Sequence, residues 1–161
     1  MIIIGIDPGI ANSGFACVEF SIKSLYKVLD TQIIKTPANM TTGKRLETIA
    51  LEFVRFVNRG ENYMFEILAI EDVFFGKNVS SARQTAKVIG ALELTAHQKF
   101  LKECDILTPT AVKKGVGVKG NTNKDGIGFA IANITGTMVA NNHEADAVAV
   151  AISAHKLKGG E

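Results

Sequence analysis

Four side chains suited to metal or acid–base chemistry stand where regular structure is predicted to end or begin. Asp7 closes the apolar segment IIIGID and is followed at once by Pro8 and Gly9. Glu71 closes a second apolar segment, FEILAIE. His143 and Asp146 lie in NNHEADAVAVAI, where a helix is predicted to begin. At three positions apart they are separated by about 60° around the helix axis, so they share a face, whereas Glu144 points away.

These residues predict a site for divalent cations. Open α/β sheets place their ligands at the carboxyl ends of strands, so we expect Asp7 and Glu71 to meet there with the start of the last helix. Carboxylate oxygens suit Mg²⁺ or Mn²⁺, and two such ions about 4 Å apart can drive in-line hydrolysis of a phosphodiester. Taken singly, each acid is better explained as a strand-end or helix-capping residue, and only their joint placement favours a cation site. Asp72 is predicted to face the opposite side and to stay outside the site.

The elements that must position these residues follow from hydrophobic periodicity. Strands are predicted at 2–7, 14–20, 26–35, 65–71 and 105–108, and helices at 42–60, about 80–104 and about 142–156, with one helical turn at 110–114. The segment GVGVKGNTNKDG, residues 115–126, is predicted to be a flexible loop or the frayed start of a short helix. The resulting order, β-β-β-α-β-α-β-α-α, is similar to that of an RNase H-like α/β fold. We therefore expect a five-stranded mixed sheet, three antiparallel strands continued by parallel ones, flanked by helices.

Composition limits the class of protein. With 161 residues and 47% hydrophobic content, we expect a single domain spanning 1–161. No signal peptide and no apolar stretch of the roughly 20 residues that a membrane helix needs are predicted, so a membrane partner is not expected. Cys17 and Cys104 form no metal-binding or disulfide pattern, which is typical of a reducing cytoplasm, either of a bacterial-type cell or of a virus-infected host.

Charge is distributed unevenly along the chain. The net charge is +2, but residues 76–125 hold nine Lys/Arg against four Asp/Glu, while the remaining residues are net acidic. Such a basic segment can steer a polyanion onto one face of a protein. A solvated mixture of surface charges explains the same observation equally well.

The segments IGIDPGIANSGFA, AIEDVFFGKN, VKKGVGVKGNTNK and HEADAVAVAI resemble, in order and spacing, the RuvC family of Holliday-junction resolvases, and the likeness covers the whole chain. The resemblance implies a crossover junction endodeoxyribonuclease that makes paired symmetric nicks in four-way DNA junctions during recombination and repair. It also implies Mg²⁺ as cofactor, with Mn²⁺ as a substitute and two ions in each active site. The implied partners are junction DNA, a second copy of the chain and a branch-migration helicase.

The resemblance also assigns roles to residues. The metal-binding and catalytic set falls on Asp7, Glu71, His143 and Asp146. Many family members have Asp at the position of His143, so His143 is expected to favour Mn²⁺ or to act as an acid/base or outer group. Family likeness and the basic segment together place DNA contacts on Phe74, Lys77, Lys113, Lys114, Lys119 and Lys124. Phe74 would stack at the junction centre, whereas Phe75 is assigned to the core.

The family's dimer interface corresponds to the helix predicted at 80–104, whose small residues Ala82, Ala86, Gly90 and Ala96 permit close approach, although packing within one chain explains them too. Two other functions stay open on sequence. One is a junction-binding protein without catalysis, and the other is an actin-like or sugar-kinase type ATP-binding module, because Asp7-Pro8-Gly9 followed by Gly14 also resembles a phosphate loop. A ribonuclease of the same fold would cut RNA–DNA hybrids instead.

Overall fold

The computed structural model of the protein describes residues 1–21, 25–59, 64–73, 78–119 and 124–159. Their strands form one five-stranded sheet in the order β3-β2-β1-β4-β5. The strands are β1 (Ile2–Asp7), β2 (Asn12–Phe20), β3 (Tyr26–Lys35), β4 (Ile67–Glu71) and β5 (Asp105–Leu107). The helices are α1 (Thr42–Val57), α2 (Val79–Phe100), α3 (Pro109–Gly115), α4 (Lys124–Thr135) and α5 (Asn142–Leu157). The expected mixed α/β sheet is confirmed.

The first strand lies at the centre of the sheet and sets its directions. β1 pairs antiparallel with β2, and Asp7 is the register partner of Gly14. On its other edge β1 pairs parallel with β4, and Ile6 is the register partner of Ile70. Since β4 and β5 are also parallel, the carboxyl ends of β1, β4 and β5 lie at the same edge. Asp7 and Glu71 each end their strand there.

Helices cover both faces of the sheet, and strand alternation divides the core accordingly. Ile3, Ala16 and Ala69 pack in one cluster with the buried residues of α3, α4 and α5. Ile4 and Phe15 pack in a second cluster with the buried residues of α1 and α2. Each strand of the central pair is apolar toward both layers, as expected for a sheet covered on both sides.

Helix α4 begins inside the segment 115–126, which was predicted to be a flexible loop or the frayed start of a short helix. Residues 127–135, for which no element was predicted, continue this helix, and Ile127 and Ile131 are buried one turn apart. Gly126 and Gly128 interrupt the helical pattern in the sequence, because glycine is a poor helix former. Burial of the two isoleucines against α5 overrides that local preference. Among the described helices, none is long and apolar enough to cross a membrane.

Candidate active site at the carboxyl ends of β1 and β4

Strand alternation directs the two strand-end acids toward the same layer. Asp7 follows Ile3 and Gly5 at intervals of two residues, and Glu71 follows Ala69. Ile3 and Ala69 belong to the cluster that packs against α5. Asp7 and Glu71 therefore face α5, at the edge where β1 and β4 end.

Two glycines allow the backbone of α5 to lie directly on the sheet. A Cβ atom on Gly5 would lie 2.2 Å from the carbonyl oxygen of Ala147, and one on Gly14 would lie 2.0 Å from that of His143. Both distances are far below a van der Waals contact, so no larger residue fits without displacing the helix. The first turn of α5, which carries His143, is thereby held against the strand beside Asp7.

The N-terminus of α5 is capped locally, which fixes the start of the helix. The Asn141 side chain accepts a hydrogen bond of 2.9 Å from the His143 N–H. Such a cap satisfies one of the backbone donors that a helix start leaves without a partner. The helix then continues fully buried from Ala147 to His155, so its first turn is positioned by both the cap and the core.

His143 and Asp7 are in direct contact. His143 Nδ1 lies 2.6 Å from Asp7 Oδ2, and the side chains are 32% and 16% exposed. Since a carboxylate oxygen accepts hydrogen bonds, the His143 Nδ1–H is the donor and Asp7 Oδ2 is the acceptor. The bond occupies one ring nitrogen and orients both side chains at the mouth of the site.

Glu71 lies among charges of both signs. Burial raises the pKa of its carboxyl from 4.5 to about 7, repulsion by Asp7 and Asp146 adds to the rise, and the Lys113 ammonium opposes it. The three predicted acids thus lie close enough for their charges to interact. A divalent cation is the natural counter-charge for desolvated carboxylates that repel one another, so the donor set fits Mg²⁺ or Mn²⁺.

The acids do not form a ready-made cage. Within the described residues, no three His, Cys, Asp or Glu side chains are grouped closely enough to hold a metal ion. Two physical reasons account for this arrangement. Like charges drive the carboxylates apart, and the Asp7 carboxylate is turned toward His143 by their hydrogen bond.

A groove of about 600 Å³ runs past the acids. Asp7, Glu71 and Asp72 lie along it, and its far side is formed by the start of α2 and by Pro109. Asp72, which the prediction kept apart from Glu71, borders the same groove. Its N–H donates to the Leu107 carbonyl oxygen of β5 at 2.7 Å, and its Oδ1 accepts a hydrogen bond of 2.7 Å from the N–H of Val73. The charges that act on the Glu71 carboxyl are those of Asp7, Asp146 and Lys113, so the placement of Asp72 outside the acid site stays a prediction.

The predicted DNA-binding residues are distributed around α3 and beyond. Lys113 is half-buried on the side of Glu71, whereas Lys114 lines a separate groove of about 590 Å³ with Val116, Ile134 and Leu157. The structure therefore divides this basic patch between two sides of α3. Lys119 is exposed. Phe74, Phe75, Lys77 and the side chain of Lys124 lie outside the described residues.

Sequence reasoning missed the role of Gly5 and Gly14. Both lie inside strands, and an interior strand glycine often marks the close approach of another backbone. That signal was available in the sequence. What it did not disclose is which element approaches, because α5 is more than a hundred residues further along the chain.

Comparisons with known proteins identify the family of the chain. The profile of the family described as "Crossover junction endodeoxyribonuclease RuvC" matches residues 3–155. Proteins of that name from Brachyspira hyodysenteriae and Alkaliphilus oremlandii are 34% and 37% identical, over 95% and 94% of this chain and 92% and 91% of theirs. The fold is similar to that of Thermus thermophilus RuvC solved in complex with a Holliday junction substrate, with a TM-score of 0.83, 22% identity and 99% and 98% coverage. The chain therefore belongs to the RuvC family of crossover junction endodeoxyribonucleases, nucleases that need a divalent metal ion.

Proposed function

We propose that this protein resolves four-way DNA junctions in recombination and repair, by paired symmetric hydrolysis of phosphodiester bonds in two opposed strands. The observation that carries the proposal is the position of Asp7 and Glu71 at one edge of the sheet beside a groove, where Asp7 and Asp146 both repel the Glu71 carboxylate. A protein gains no stability by gathering buried like charges, so such a cluster is typical of a site built for cations.

Asp7, Glu71 and Asp146 would hold Mg²⁺, or Mn²⁺ in its place, and the proposal includes two ions in each active site. Bound in this way, the ions would supply an activated water and stabilise the leaving oxygen of an in-line attack. His143 would orient the Asp7 carboxylate through Nδ1, as outer hydrogen-bond partners do for metal ligands. Its Nε2 is then the nitrogen through which the ring would act on a proton or a metal ion.

The substrate backbone would lie along the groove. Lys113, which is close enough to Glu71 to affect its pKa, would bind the phosphate nearest the acids as a mobile point charge. Lys119, Lys124 and Lys77 would extend the basic path, Lys114 would contact DNA from the other side of α3, and Phe74 would stack on a base at the opened junction centre. Phosphate contacts of this kind position DNA, while selectivity comes from the shape of the junction.

A homodimer would place two such sites on opposed strands, and one face of α2 supports it. Val79 and Leu94 are exposed to 61% and 57%, and Ala86 and Gly90 between them are also exposed. At 100° per residue these four positions lie within about 80° of one another, in a stripe of apolar and small residues that also includes the exposed Arg83 and His97. A stripe of this kind suits the close approach of a second, symmetry-related copy.

Two of the small residues in this helix have a different role. Ala82 and Ala96 are buried in the cluster formed with α1, so they serve packing within the chain.

A branch-migration helicase would be a further partner, and the bacterial cytoplasm would be the location. Neither bears on the chemistry of the acids.

Cleavage of a synthetic four-way junction tests the function. With Mg²⁺ or Mn²⁺ we expect symmetric nicks on the junction, and near silence on linear duplex and on RNA–DNA hybrid. Asp7→Asn and Asp146→Asn should each abolish nicking while junction binding in EDTA persists. Tight binding without nicking by the unaltered protein in either metal would refute the proposal in favour of a junction-binding protein without catalysis.

The dimer has its own test. Leu94→Glu should shift the protein toward a monomer in sedimentation equilibrium, because it buries a charge at the proposed interface. Leu51→Glu is the matched control, since Leu51 is a leucine of α1 with 51% exposure and lies outside the stripe. If the two variants show the same oligomeric state, the stripe is not the dimer interface.

A further inference from the structure

We propose that Arg45 is a positioning residue for Asp7, acting through Thr36 on the loop that follows Asp7. The inference rests on the proposed function, which makes Asp7 a metal ligand. The residues concerned belong to three elements: β1 with its following loop, the residue after β3, and the first turns of α1. We call the contacts among Arg45, Thr36 and residues 9–13 the Arg45 clamp.

The outer half of the clamp is a double contact between Arg45 and Thr36. Arg45 Nε donates to Thr36 Oγ1 at 2.8 Å, and an Arg45 Nη donates to the Thr36 carbonyl oxygen at 3.1 Å. Arg45 is half-buried and Thr36 is 4% exposed. Because the planar guanidinium makes both bonds at once, it fixes the direction of Thr36 as well as its distance.

The inner half joins Thr36 to the loop after Asp7. Thr36 Oγ1 donates to the carbonyl oxygen of Ile10, and the Thr36 N–H donates to that of Ala11 at 3.0 Å. The single hydroxyl thus accepts from Arg45 and donates to Ile10, so its hydrogen-bonding capacity on both sides is used. Removing the hydroxyl would leave a guanidinium donor and a backbone acceptor without these partners.

Ser13 closes the same loop from within. Its Oγ donates to the carbonyl oxygen of Gly9 at 2.7 Å and accepts from the Gly9 N–H at 3.3 Å. Ser13 is fully buried. The loop between Asp7 and β2 is therefore held at Gly9 by Ser13 and at Ile10 and Ala11 by Thr36.

These contacts affect Asp7 because Asp7 is the last residue of β1 and directly precedes the loop. On one side Asp7 is paired with Gly14 in the sheet, and on the other the loop begins at Pro8. If the loop relaxes, the Asp7 carboxylate can move relative to His143 and Glu71. Such a movement would weaken metal binding, because a metal ion requires its ligands at fixed distances.

The test compares Thr36→Val, which removes the hydroxyl, with Thr36→Ser, which keeps it, alongside Arg45→Ala. For each variant we would measure the Mn²⁺ concentration that gives half-maximal nicking, and the rise in Tm caused by Mn²⁺ without DNA. We expect Thr36→Val and Arg45→Ala to need at least about tenfold more Mn²⁺ for half-maximal nicking. Their Mn²⁺-induced Tm rise should shrink in parallel, while Thr36→Ser stays near the unaltered protein and junction affinity in EDTA is unchanged.

Two controls separate positioning from a loss of stability. Arg55→Ala removes an exposed arginine from the same helix, where it pairs with Glu52, and should leave the Mn²⁺ requirement unchanged. Ile131→Val, in the core beneath α4, lowers stability without touching the clamp. If Ile131→Val raises the Mn²⁺ requirement as much as Thr36→Val does at equal loss of Tm, the inference is overturned.

An unchanged Mn²⁺ requirement in Arg45→Ala also overturns it, provided that the unaltered protein nicks junctions. Failure of the unaltered protein to nick would instead count against the proposed function. In that case the Tm measurement still decides, because a normal Mn²⁺-induced Tm rise in Thr36→Val contradicts the clamp without reference to cleavage.

Discussion

The two ends of α5 carry the same residue type in opposite surroundings. His143 lies in the first turn, 32% exposed, with its Nδ1 2.6 Å from the Asp7 carboxylate. His155 lies in the last turn, buried, with its Nδ1 2.8 Å from the Tyr26 hydroxyl and its ring 4.0 Å from that of Phe20. One histidine contacts a charged group at the edge of a groove, and the other contacts a neutral hydroxyl inside an aromatic cluster.

The contrast teaches how one helix serves both stability and chemistry. At the His155 end, buried aromatic contacts and a neutral hydrogen bond stabilise the fold. At the His143 end, glycines bring the helix onto the strands and acids repel one another, so the arrangement costs stability and suits a cation. We expect substitutions at the first-turn end to change activity more than stability, and those at the other end to do the reverse.

The largest effect is expected from Glu71→Gln. Loss of a metal ligand removes several kcal/mol of transition-state stabilisation, so nicking of the junction should fall by about a thousandfold or more. In metal-free buffer above pH 7, where Glu71 is ionised, the same change should raise the Tm, because a neutral amide replaces a buried carboxylate that Asp7 and Asp146 repel. Single-turnover cleavage and thermal unfolding check the two halves.

Glu66→Gln is the matched control for Glu71→Gln. Glu66 lies directly before β4, and its carboxylate accepts from the Ile2 N–H at the opposite end of the strand. The substitution Glu66→Gln should leave nicking of the junction unchanged. A fall in the Tm of metal-free Glu71→Gln would contradict the view that the acids at this end destabilise the fold.

A smaller loss of activity is expected from His143→Gln. The amide keeps a donor but changes its reach, so the orientation of Asp7 is weakened while the acids remain. Substitutions of such outer partners lower activity or metal affinity by about 10–100-fold, and the Tm should change little. Cleavage assays over a range of Mn²⁺ concentrations would measure the fall in nicking activity. A fall as great as that of Glu71→Gln would contradict a purely orienting role for His143.

The sequence alone predicted where β1 and β4 end and where α5 begins, because the signals for these boundaries are local. The strand ends at Asp7 and Glu71 are marked by the apolar segments before them, and the shared face of His143 and Asp146 follows from helical spacing. Once β4 is placed parallel to β1, as the RNase H-like order of elements predicts, the carboxyl ends of the two strands meet by geometry, and so do Asp7 and Glu71.

What the sequence left out depends on partners distant along the chain. The Tyr26–His155 bond joins residues 129 positions apart, and no spacing rule connects them. For helix α4 the sequence left open only the frayed start of a short helix, because the stability of α4 comes from burial of Ile127 and Ile131 rather than from local propensity.

At the other end of α5, His155→Phe should lower stability and leave the activity of the folded protein unchanged. The phenyl ring keeps the contact with Phe20 but leaves the buried Tyr26 hydroxyl without its partner, which costs about 1–3 kcal/mol. The double variant Tyr26→Phe/His155→Phe removes both polar groups and should recover part of that loss. Urea unfolding of the two single variants and the double variant gives the coupling, and additive losses would show that the bond contributes nothing.

The smallest effect is the pH dependence that His155 confers on stability. Burial lowers the pKa of His155 below its ordinary 6.5, and the positive charge of the N-terminal amine lowers it further. As the pH falls through 6.5, the unfolded chain therefore binds a proton that the folded chain does not, and the free energy of unfolding decreases. Above pH 6.5 both states are neutral at this residue and the contribution disappears.

Urea unfolding between pH 5 and pH 7.5 would measure this effect by comparing proteins with and without His155. Glu71 acts in the opposite direction, because its folded pKa is raised from 4.5 to about 7 and the folded chain binds the extra proton in that range. The comparison is therefore made in the Glu71→Gln background, where this contribution is absent. Adding His155→Phe should flatten the acid side of the stability curve, and an unchanged slope would mean that His155 takes up its proton as readily in the folded protein as in the unfolded chain.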